Sequence, residues 1–124
     1  MSSGQATLLM IDDEEDLLYQ FESLFRSFEN IRFLTASDAK AGIAIARKEN
    51  PRVIMLDYRM PRMDGEEALK ELKAILPECK FIVMTGWEDG LTRDRLERIG
   101  VDAYFPKPFN LEEVLNKILG FLQT

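Results

Sequence analysis

The stretch Val53-Ile54-Met55-Leu56-Asp57 predicts a strand that is buried on both faces and ends on a carboxylate. Four consecutive apolar residues, two of them β-branched, are typical of a strand in the interior of a parallel sheet. Turn-forming residues follow, first Pro61 and then Asp64-Gly65, so the strand should stop at Asp57. A single aspartate in that position is most often an ordinary turn residue. The ends of the other strands decide whether Asp57 has a further role.

The composition is that of a soluble globular domain. The chain has 124 residues, which suits one domain, and a formal net charge of −6, which argues against a surface that binds the phosphate backbone of nucleic acids. No basic region precedes an apolar segment near the N-terminus, and no apolar run is long enough to span a membrane. We therefore expect a cytoplasmic protein in which residues 1–124 form a single domain, with residues 1–6 disordered.

The chain contains no histidine and one cysteine, Cys79. The absence of histidine excludes catalysis by imidazole and removes the commonest zinc ligand. A single cysteine cannot form an internal disulfide, and its place before an apolar run predicts a small core residue in a reducing compartment. Any bound metal should therefore be a hard cation with oxygen ligands.

Five short apolar runs alternate with five segments in which apolar residues recur at helical spacing. The predicted strands are residues 7–11, 31–34, 53–57, 80–84 and 103–105. Short connections between strands and helices favour a parallel sheet with helices on both faces. We predict a doubly wound α/β fold with the flavodoxin-like strand order 2-1-3-4-5, whose switch point lies between the first and third strands.

Polar residues indicate where the helices begin. The predicted N-caps are Ser37, Asp64 and Asn110. The second and third have a glutamate three residues later, as in a capping box. The last helix should bury an apolar stripe that begins at Leu111.

Carboxylates end two strands that should be neighbours at the switch point. Asp12-Asp13 follow the first strand and Asp57 ends the third, and neighbouring strands lie roughly 4.8 Å apart. Two unit charges about 5 Å apart repel by roughly 3 kcal/mol at an effective dielectric constant of about 20. Protonation or a cation must relieve this repulsion, and an all-oxygen site suggests Mg²⁺ or a similar ion. For residues 14–16 we prefer a simpler explanation, since acidic residues are favoured at a helix N-terminus.

Two further strand ends carry groups that suit a phosphate. Thr85 ends the fourth strand, and its hydroxyl could donate a hydrogen bond to a phosphoryl oxygen. Lys107 follows the fifth strand and supplies a positive charge. Taken singly, Thr85 would be a cap and Lys107 a solvated lysine, and Lys107-Pro108 is a candidate cis peptide. However, the four strand ends together carry carboxylates, a hydroxyl and a lysine. Such a combination at one edge of a sheet is hard to explain by chance.

With these residues the chain resembles the receiver domain of two-component response regulators. The resemblance rests on Ile11-Asp12-Asp13, Leu56-Asp57, Met60-Pro61, Asp64-Gly65, Thr85-Gly86 and residues 104–109. It implies that Asp57 is the phosphoacceptor, whose carboxylate attacks a phosphohistidine of a sensor histidine kinase and forms an acyl phosphate.

The resemblance also implies the roles of the residues around Asp57. Asp13, Asp57 and the backbone carbonyl of Arg59 would bind Mg²⁺ (or Mn²⁺) directly, with Asp12 acting partly through water. Thr85 and Lys107 would hold the phosphoryl oxygens. The metal and Lys107 would offset the charge on the transferring group.

A conformational switch is a further implication of the resemblance. Drawing Thr85 inward would let Tyr104 rotate from an exposed to a buried position, although Tyr104 taken alone is an ordinary, partly buried aromatic. The surface of the fourth helix, fifth strand and fifth helix would change. Expected partners are the kinase and a downstream output domain or protein, with a phosphorylation-dependent homodimer as an option. No direct nucleic-acid binding and no membrane contact are expected. Such a domain is not an enzyme, since it catalyses only its own phosphorylation and dephosphorylation.

Three alternatives stay open at this point. A Mg²⁺-dependent phosphohydrolase would use Asp57 as its nucleophile, but Arg59 stands where a general acid is expected and no cap domain is inserted. A flavodoxin-like carrier of flavin or nucleotide would have a loop rich in Gly, Ser and Thr after the first strand, whereas the acidic loop here would repel phosphate. A receiver-like module that is never phosphorylated would tend to lack acidic or lysine positions that this chain has.

Overall fold

The computed structural model describes residues 5–60, 63–85 and 90–123 as a parallel sheet flanked by helices. The strands are β1 (Ala6–Ile11), β2 (Ile31–Ala36), β3 (Val53–Asp57), β4 (Arg59–Met60), β5 (Met63–Asp64), β6 (Lys80–Thr85) and β7 (Ala103–Pro106). The helices are α1 (Glu15–Phe25), α2 (Ala39–Glu49), α3 (Gly65–Ile75), α4 (Gly90–Ile99) and α5 (Leu111–Leu122). None of these helices is both long and apolar enough to cross a membrane.

The main sheet has the order β2-β1-β3-β6-β7, and every neighbouring pair is parallel. Counted within this sheet, the order is 2-1-3-4-5, so the predicted fold class is confirmed. Ile11 pairs with Leu56, which places the carboxyl ends of β1 and β3 side by side. The chain leaves β1 towards one edge of the sheet and β3 towards the other, so the predicted switch point lies between the ends of these two strands.

Strand β3 lies at the centre of the core, and all five of its residues are buried. Ile54 and Leu56 pack into the cluster that contains residues of α2 and α3. Val53 and Met55 pack into the cluster on the other face, with residues of α1 and α5. The run of apolar residues in β3 predicts a strand that is covered on both faces, as observed. This packing holds Asp57 at a rigid edge of the sheet.

The residues that begin and end the helices agree with the predictions in part. Asn110 caps α5 as predicted, because its side chain accepts a hydrogen bond from the Glu113 N–H. The N-cap of α2 is Asp38 and not the predicted Ser37, since Asp38 is the last extended residue and its side chain accepts from the Ala41 N–H. The predicted N-cap Asp64 directly precedes α3, but its side chain lies outside the described residues.

One expectation about burial is wrong. Leu111 is 37% exposed, because as the first residue of α5 it lies ahead of the buried stripe of Val114, Ile118 and Leu122.

Of the segment 1–6, expected to be disordered, Ala6 is instead the buried first residue of β1. Residues 1–4, Pro61 and Gly86 lie outside the described residues.

A second sheet, β4 and β5, is antiparallel and follows directly after β3. The sequence does not predict this sheet, because two-residue strands are too short to show a periodic pattern.

Cys79 is buried as predicted, and burial raises the pKa of its thiol to about 12.

Candidate functional site

Three carboxylates meet at the carboxyl ends of β1 and β3. Asp57 is the last residue of β3, and Asp12 and Asp13 follow β1. One carboxylate oxygen of each lies within 4.8 Å of the others. Asp12 is fully buried and Asp57 is 4% exposed, while Asp13 is exposed. The predicted cluster is therefore present, and it reaches solvent through Asp13.

Hydrogen bonds to the backbone orient two of these carboxylates. Asp12 Oδ1 accepts from the Glu14 N–H at 2.8 Å, and Asp57 Oδ1 accepts from the Arg59 N–H at 3.1 Å. Both are the bonds to residue i+2 that aspartate makes when it begins a turn. Each carboxylate keeps its second oxygen, Oδ2, for Lys107. Asp57 is thus the turn residue of the simpler interpretation and a member of the cluster at the same time.

Burial raises the pKa of Asp12 and of Asp57. For Asp57 burial is the larger cause and the neighbouring Asp12 carboxylate adds to it. Lys107 and the Arg59 N–H act in the opposite direction, and the pKa of Asp57 is about 6. For Asp12 burial outweighs the hydrogen bond from Lys107. A bound cation would favour the ionised form of both groups and would therefore stabilise the pair.

Lys107 lies over the cluster, with a side chain that is 14% exposed. Its Nζ donates to Asp12 Oδ2 at 2.8 Å, to Glu14 Oε1 at 2.6 Å and to Asp57 Oδ2 at 3.4 Å. Burial works to lower the pKa of Lys107, but hydrogen bonds with Asp12 and Glu14 outweigh burial and raise it. The Lys107–Pro108 peptide bond is cis. Lys107 is therefore a charged, enclosed group and not a solvated lysine.

Thr85 lies at the same edge of the sheet as Asp57, at the end of the neighbouring strand β6. It is 1% exposed, and its backbone carbonyl accepts a hydrogen bond from the Lys107 N–H at 2.5 Å. The ends of β6 and β7 are thereby joined next to the carboxylates.

Tyr104 is partly buried in this structure. Its ring packs against the core cluster beneath α2 and α3, and its hydroxyl oxygen is shielded from solvent. The guanidinium carbon of Arg93 lies 5.6 Å from the centroid of the ring. Tyr104 is thus partly buried, as the simpler interpretation of this residue predicts, and its rotation between an exposed and a buried position stays a prediction.

The loop after β3 lies close to both β6 and the start of α3. The Tyr58 N–H donates to the Met84 carbonyl at 2.7 Å, and a Cβ on Gly65 would collide with the Tyr58 carbonyl. Arg59 is exposed and pairs with Asp64 in the small sheet. The Arg59 carbonyl as a metal ligand stays a prediction.

The donor set fits a hard divalent cation. It consists of carboxylate oxygens, which Mg²⁺ and Mn²⁺ prefer over the nitrogen and sulfur ligands favoured by zinc. Asp12, Asp13 and Asp57 are the residues that could hold such an ion.

Glu14 is the member of the site that the sequence did not reveal. Its position beside a helix N-terminus has a general explanation, and its partner Lys107 is 93 residues away. No periodic pattern or short motif connects two residues at that distance.

Comparison with known proteins gives a consistent result. Residues 8–119 match the family model of the response regulator receiver domain. The probable transcriptional regulatory protein TcrX of Mycobacterium tuberculosis is 30% identical over 124 residues, which cover 98% of this chain and 52% of that protein. Sporulation initiation phosphotransferase F of Bacillus subtilis is 27% identical over 115 residues, which cover 93% of this chain and 92% of that protein. The chain thus spans about half the length of several relatives and nearly all of another.

Solved structures show the same likeness. A CheY-like response regulator receiver domain protein from Methanospirillum hungatei has a TM-score of 0.88 and 28% sequence identity, covering 96% of this chain and 94% of that one. A response regulator receiver domain protein from Clostridium thermocellum has a TM-score of 0.84 and 28% identity, covering 95% of this chain and 94% of that one. All of the carboxylates, Thr85 and Lys107 lie within the range matched by the family model.

Proposed function

The chain belongs to the response regulator receiver domain family of two-component signalling, as its resemblance predicted, and we propose that it accepts a phosphoryl group on Asp57. The position of Asp57 carries this proposal. Its carboxylate is nearly buried at the end of a central strand, and Lys107 Nζ lies 3.4 Å from Oδ2. Asp12 and Asp13 complete a cluster in which the acceptor, a cation site and a fixed positive charge are neighbours.

The Asp57 carboxylate would be the nucleophile of the transfer. A bond forms between a carboxylate oxygen and phosphorus, and the bond from phosphorus to a donor nitrogen or oxygen breaks, with its electron pair leaving on the donor. The hydrogen bond from the Arg59 N–H to Oδ1 restrains the carboxylate, which reduces the entropy lost in reaching the reactive orientation. With a pKa of about 6, Asp57 is largely ionised at neutral pH.

Lys107 would stabilise the negative charge on the phosphoryl oxygens. Its ammonium is enclosed and lies 3.4 Å from Asp57 Oδ2, so a positive charge already stands beside the acceptor when a charged group arrives. Thr85 at the end of β6 would donate its hydroxyl to a second phosphoryl oxygen. Such positioning and charge stabilisation are most of what a protein contributes to phosphoryl transfer.

Mg²⁺ (or Mn²⁺) is the proposed cofactor. When bound it would neutralise charge on the transferring phosphoryl group. Asp13, Asp57 and the Arg59 carbonyl would be its direct ligands, and Asp12 would act partly through water. The three clustered carboxylates and the raised pKa values of Asp12 and Asp57 support this assignment.

Signalling would follow from the added charge. An acyl phosphate adds about −1.5 to −2 charges beside Thr85 and Lys107. The response would pass through Tyr104 to the surface formed by α4, β7 and α5, since the ring of Tyr104 contacts both the core and Arg93 of α4. We propose a sensor histidine kinase as donor and an output domain or protein as reader of this surface, with homodimerisation on phosphorylation as an option.

Location and catalytic scope belong to the same proposal. The chain would act in the cytoplasm and would catalyse only its own phosphorylation and dephosphorylation. It would not itself bind nucleic acid.

Phosphorylation by a small donor tests the proposal directly. The protein is incubated with acetyl phosphate and Mg²⁺ and its intact mass is measured. We expect one phosphoryl adduct that hydroxylamine removes, that is absent in Asp57→Asn and that is retained in Asp16→Asn, a control at an exposed carboxylate of α1. An adduct that survives Asp57→Asn, or no adduct on the unmodified chain, refutes the proposal. Repeated turnover of a phosphomonoester would favour the phosphohydrolase.

A further inference from the structure

Glu14 is an acidic partner of Lys107 that comes from the turn between β1 and α1. Its Oε1 lies 2.6 Å from Lys107 Nζ, nearer than either aspartate oxygen. Hydrogen bonds between an ammonium and a carboxylate at this distance are among the stronger ones in proteins. Glu14 therefore acts on the lysine that faces the phosphoacceptor.

Helix capping does not explain the side chain of Glu14. The residue occupies the N-cap position of α1, yet its side chain makes no capping hydrogen bond. Its backbone carbonyl accepts from the Leu17 and Leu18 N–H groups, which any residue type could provide. The carboxylate instead reaches Lys107, 93 residues along the chain.

The three contacts of Lys107 use all of its donors. An ammonium has three N–H groups, and Asp12, Glu14 and Asp57 accept one each. A phosphoryl oxygen on Asp57 can receive a hydrogen bond from Lys107 only if one of these acceptors gives way.

The three carboxylates differ in how much free energy is lost when Lys107 moves away from each of them. The Asp12 side chain is fully buried, so losing Lys107 would leave a buried carboxylate without its cation. Asp57 carries the phosphoryl group and stays in place. The Glu14 side chain is 59% exposed, and water can replace the ammonium at its carboxylate. Glu14 is the acceptor that is released most easily.

We propose that Glu14 is a positioning residue that occupies one donor of Lys107 until the phosphoryl group displaces it. The inference rests on the proposed function, because it concerns the reactivity of that same site. Glu14 competes with the incoming group and slows phosphorylation. Removing its charge should raise the rate by about two- to fivefold, the range expected for the loss of a largely exposed ion pair.

Two variants with the same change in net charge provide the rate test. Glu14→Gln removes the contact, and Glu15→Gln removes an exposed carboxylate that lies in the groove beside Ser37 and Ala41. Adduct formation is followed at low acetyl phosphate concentration, with Mg²⁺ saturating for each variant. We expect a two- to fivefold faster rate for Glu14→Gln only. Equal rates for the two variants, or a slower rate for Glu14→Gln, overturn the proposal.

A second readout requires neither donor nor metal. Urea unfolding midpoints of the unmodified chain, Glu14→Gln, Lys107→Met and the double variant form a thermodynamic cycle. We expect the effects of the two substitutions to be non-additive, because they remove the same contact. Additive midpoints overturn the proposal. An unmodified chain that forms no adduct refutes the function of Asp57 instead, so the two failures are distinguishable.

Discussion

Replacing the proposed nucleophile should make the protein more stable. Asp57 is nearly buried beside Asp12, and burial together with that charge raises its pKa from 3.8 to about 6. A pKa difference of this size corresponds to about 3 kcal/mol of unfavourable free energy in the folded state above pH 6. Asp57→Asn removes the charge but keeps an oxygen that can accept from the Arg59 N–H. We expect the free energy of unfolding to rise by about 1–3 kcal/mol at pH 7.5, the lower limit reflecting the lost contact with Lys107.

The gain should depend on pH with a definite sign. Because the pKa of Asp57 is higher in the folded state, the folded protein binds a proton more tightly than the unfolded chain between pH 3.8 and about 6. The unmodified protein therefore recovers stability as the pH falls through this window, whereas the asparagine side chain of the variant does not titrate. The difference between the two proteins should be full above pH 6 and should disappear near pH 4.

Urea denaturation from pH 4 to pH 8 in the presence of a chelator measures this difference. Asp16→Asn, at an exposed carboxylate in the first turn of α1, is the control and should not stabilise the protein. A variant Asp57→Asn that is less stable at pH 7.5, or whose difference does not change with pH, would refute the electrostatic account of the site.

Addition of Mg²⁺ should narrow the difference in stability between the two proteins and, at high concentration, reverse their order. A ligand that binds only the folded state stabilises it by about 1.4 kcal/mol at ten times its dissociation constant, and by more at higher concentration. The unmodified protein should gain this stability, and Asp57→Asn should gain much less because a carboxylate of the cluster is missing. Equal stabilisation of both proteins in the same denaturation assay would argue against a metal site at Asp57.

Substitutions at Gly65 and Arg93 test the surroundings of the site by urea denaturation, and Gly120→Ala is the control for Gly65. Gly65→Ala should destabilise the protein by about 1–3 kcal/mol, because a Cβ would collide with the Tyr58 carbonyl. Gly120 lies in α5 with open space around it, so Gly120→Ala should stabilise the protein by about 0.5–1 kcal/mol. Equal effects at the two glycines would contradict the close approach at Gly65. Arg93→Ala should destabilise the protein by about 0.5–1 kcal/mol, and by less when Tyr104 is replaced by alanine. An unchanged effect in the alanine background would show that Arg93 does not act through that ring.

The sequence predicted the strand ends and, through them, most of the site. Runs of apolar residues locate the strands, and in a parallel sheet all carboxyl ends share one edge. Asp12, Asp57, Thr85 and Lys107 could therefore be brought together without any knowledge of side-chain contacts. The structure places all four at that edge.

The expectations that failed depended on contacts that have no local pattern. Ser37 and Asp38 are both good cap residues, and only the backbone of the folded turn selects Asp38. The contact between Tyr104 of β7 and Arg93 of α4 joins two elements that no short motif connects. The pairing of Glu14 with Lys107 likewise depends on how the turn after β1 approaches the loop after β7. Such details require the packed structure.

The two interpretations of Asp57, as a turn residue and as a nucleophile, describe one arrangement. The turn uses a single carboxylate oxygen, which accepts from the Arg59 N–H, and the other oxygen faces Lys107. Asp12 divides its oxygens in the same way between the Glu14 N–H and Lys107. Ordinary turn chemistry thus orients both carboxylates before any ligand binds. The packing of β3 on both faces stabilises the strand against the unfavourable charge that results. The same negative charge would attract a cation, as it attracts the Lys107 ammonium.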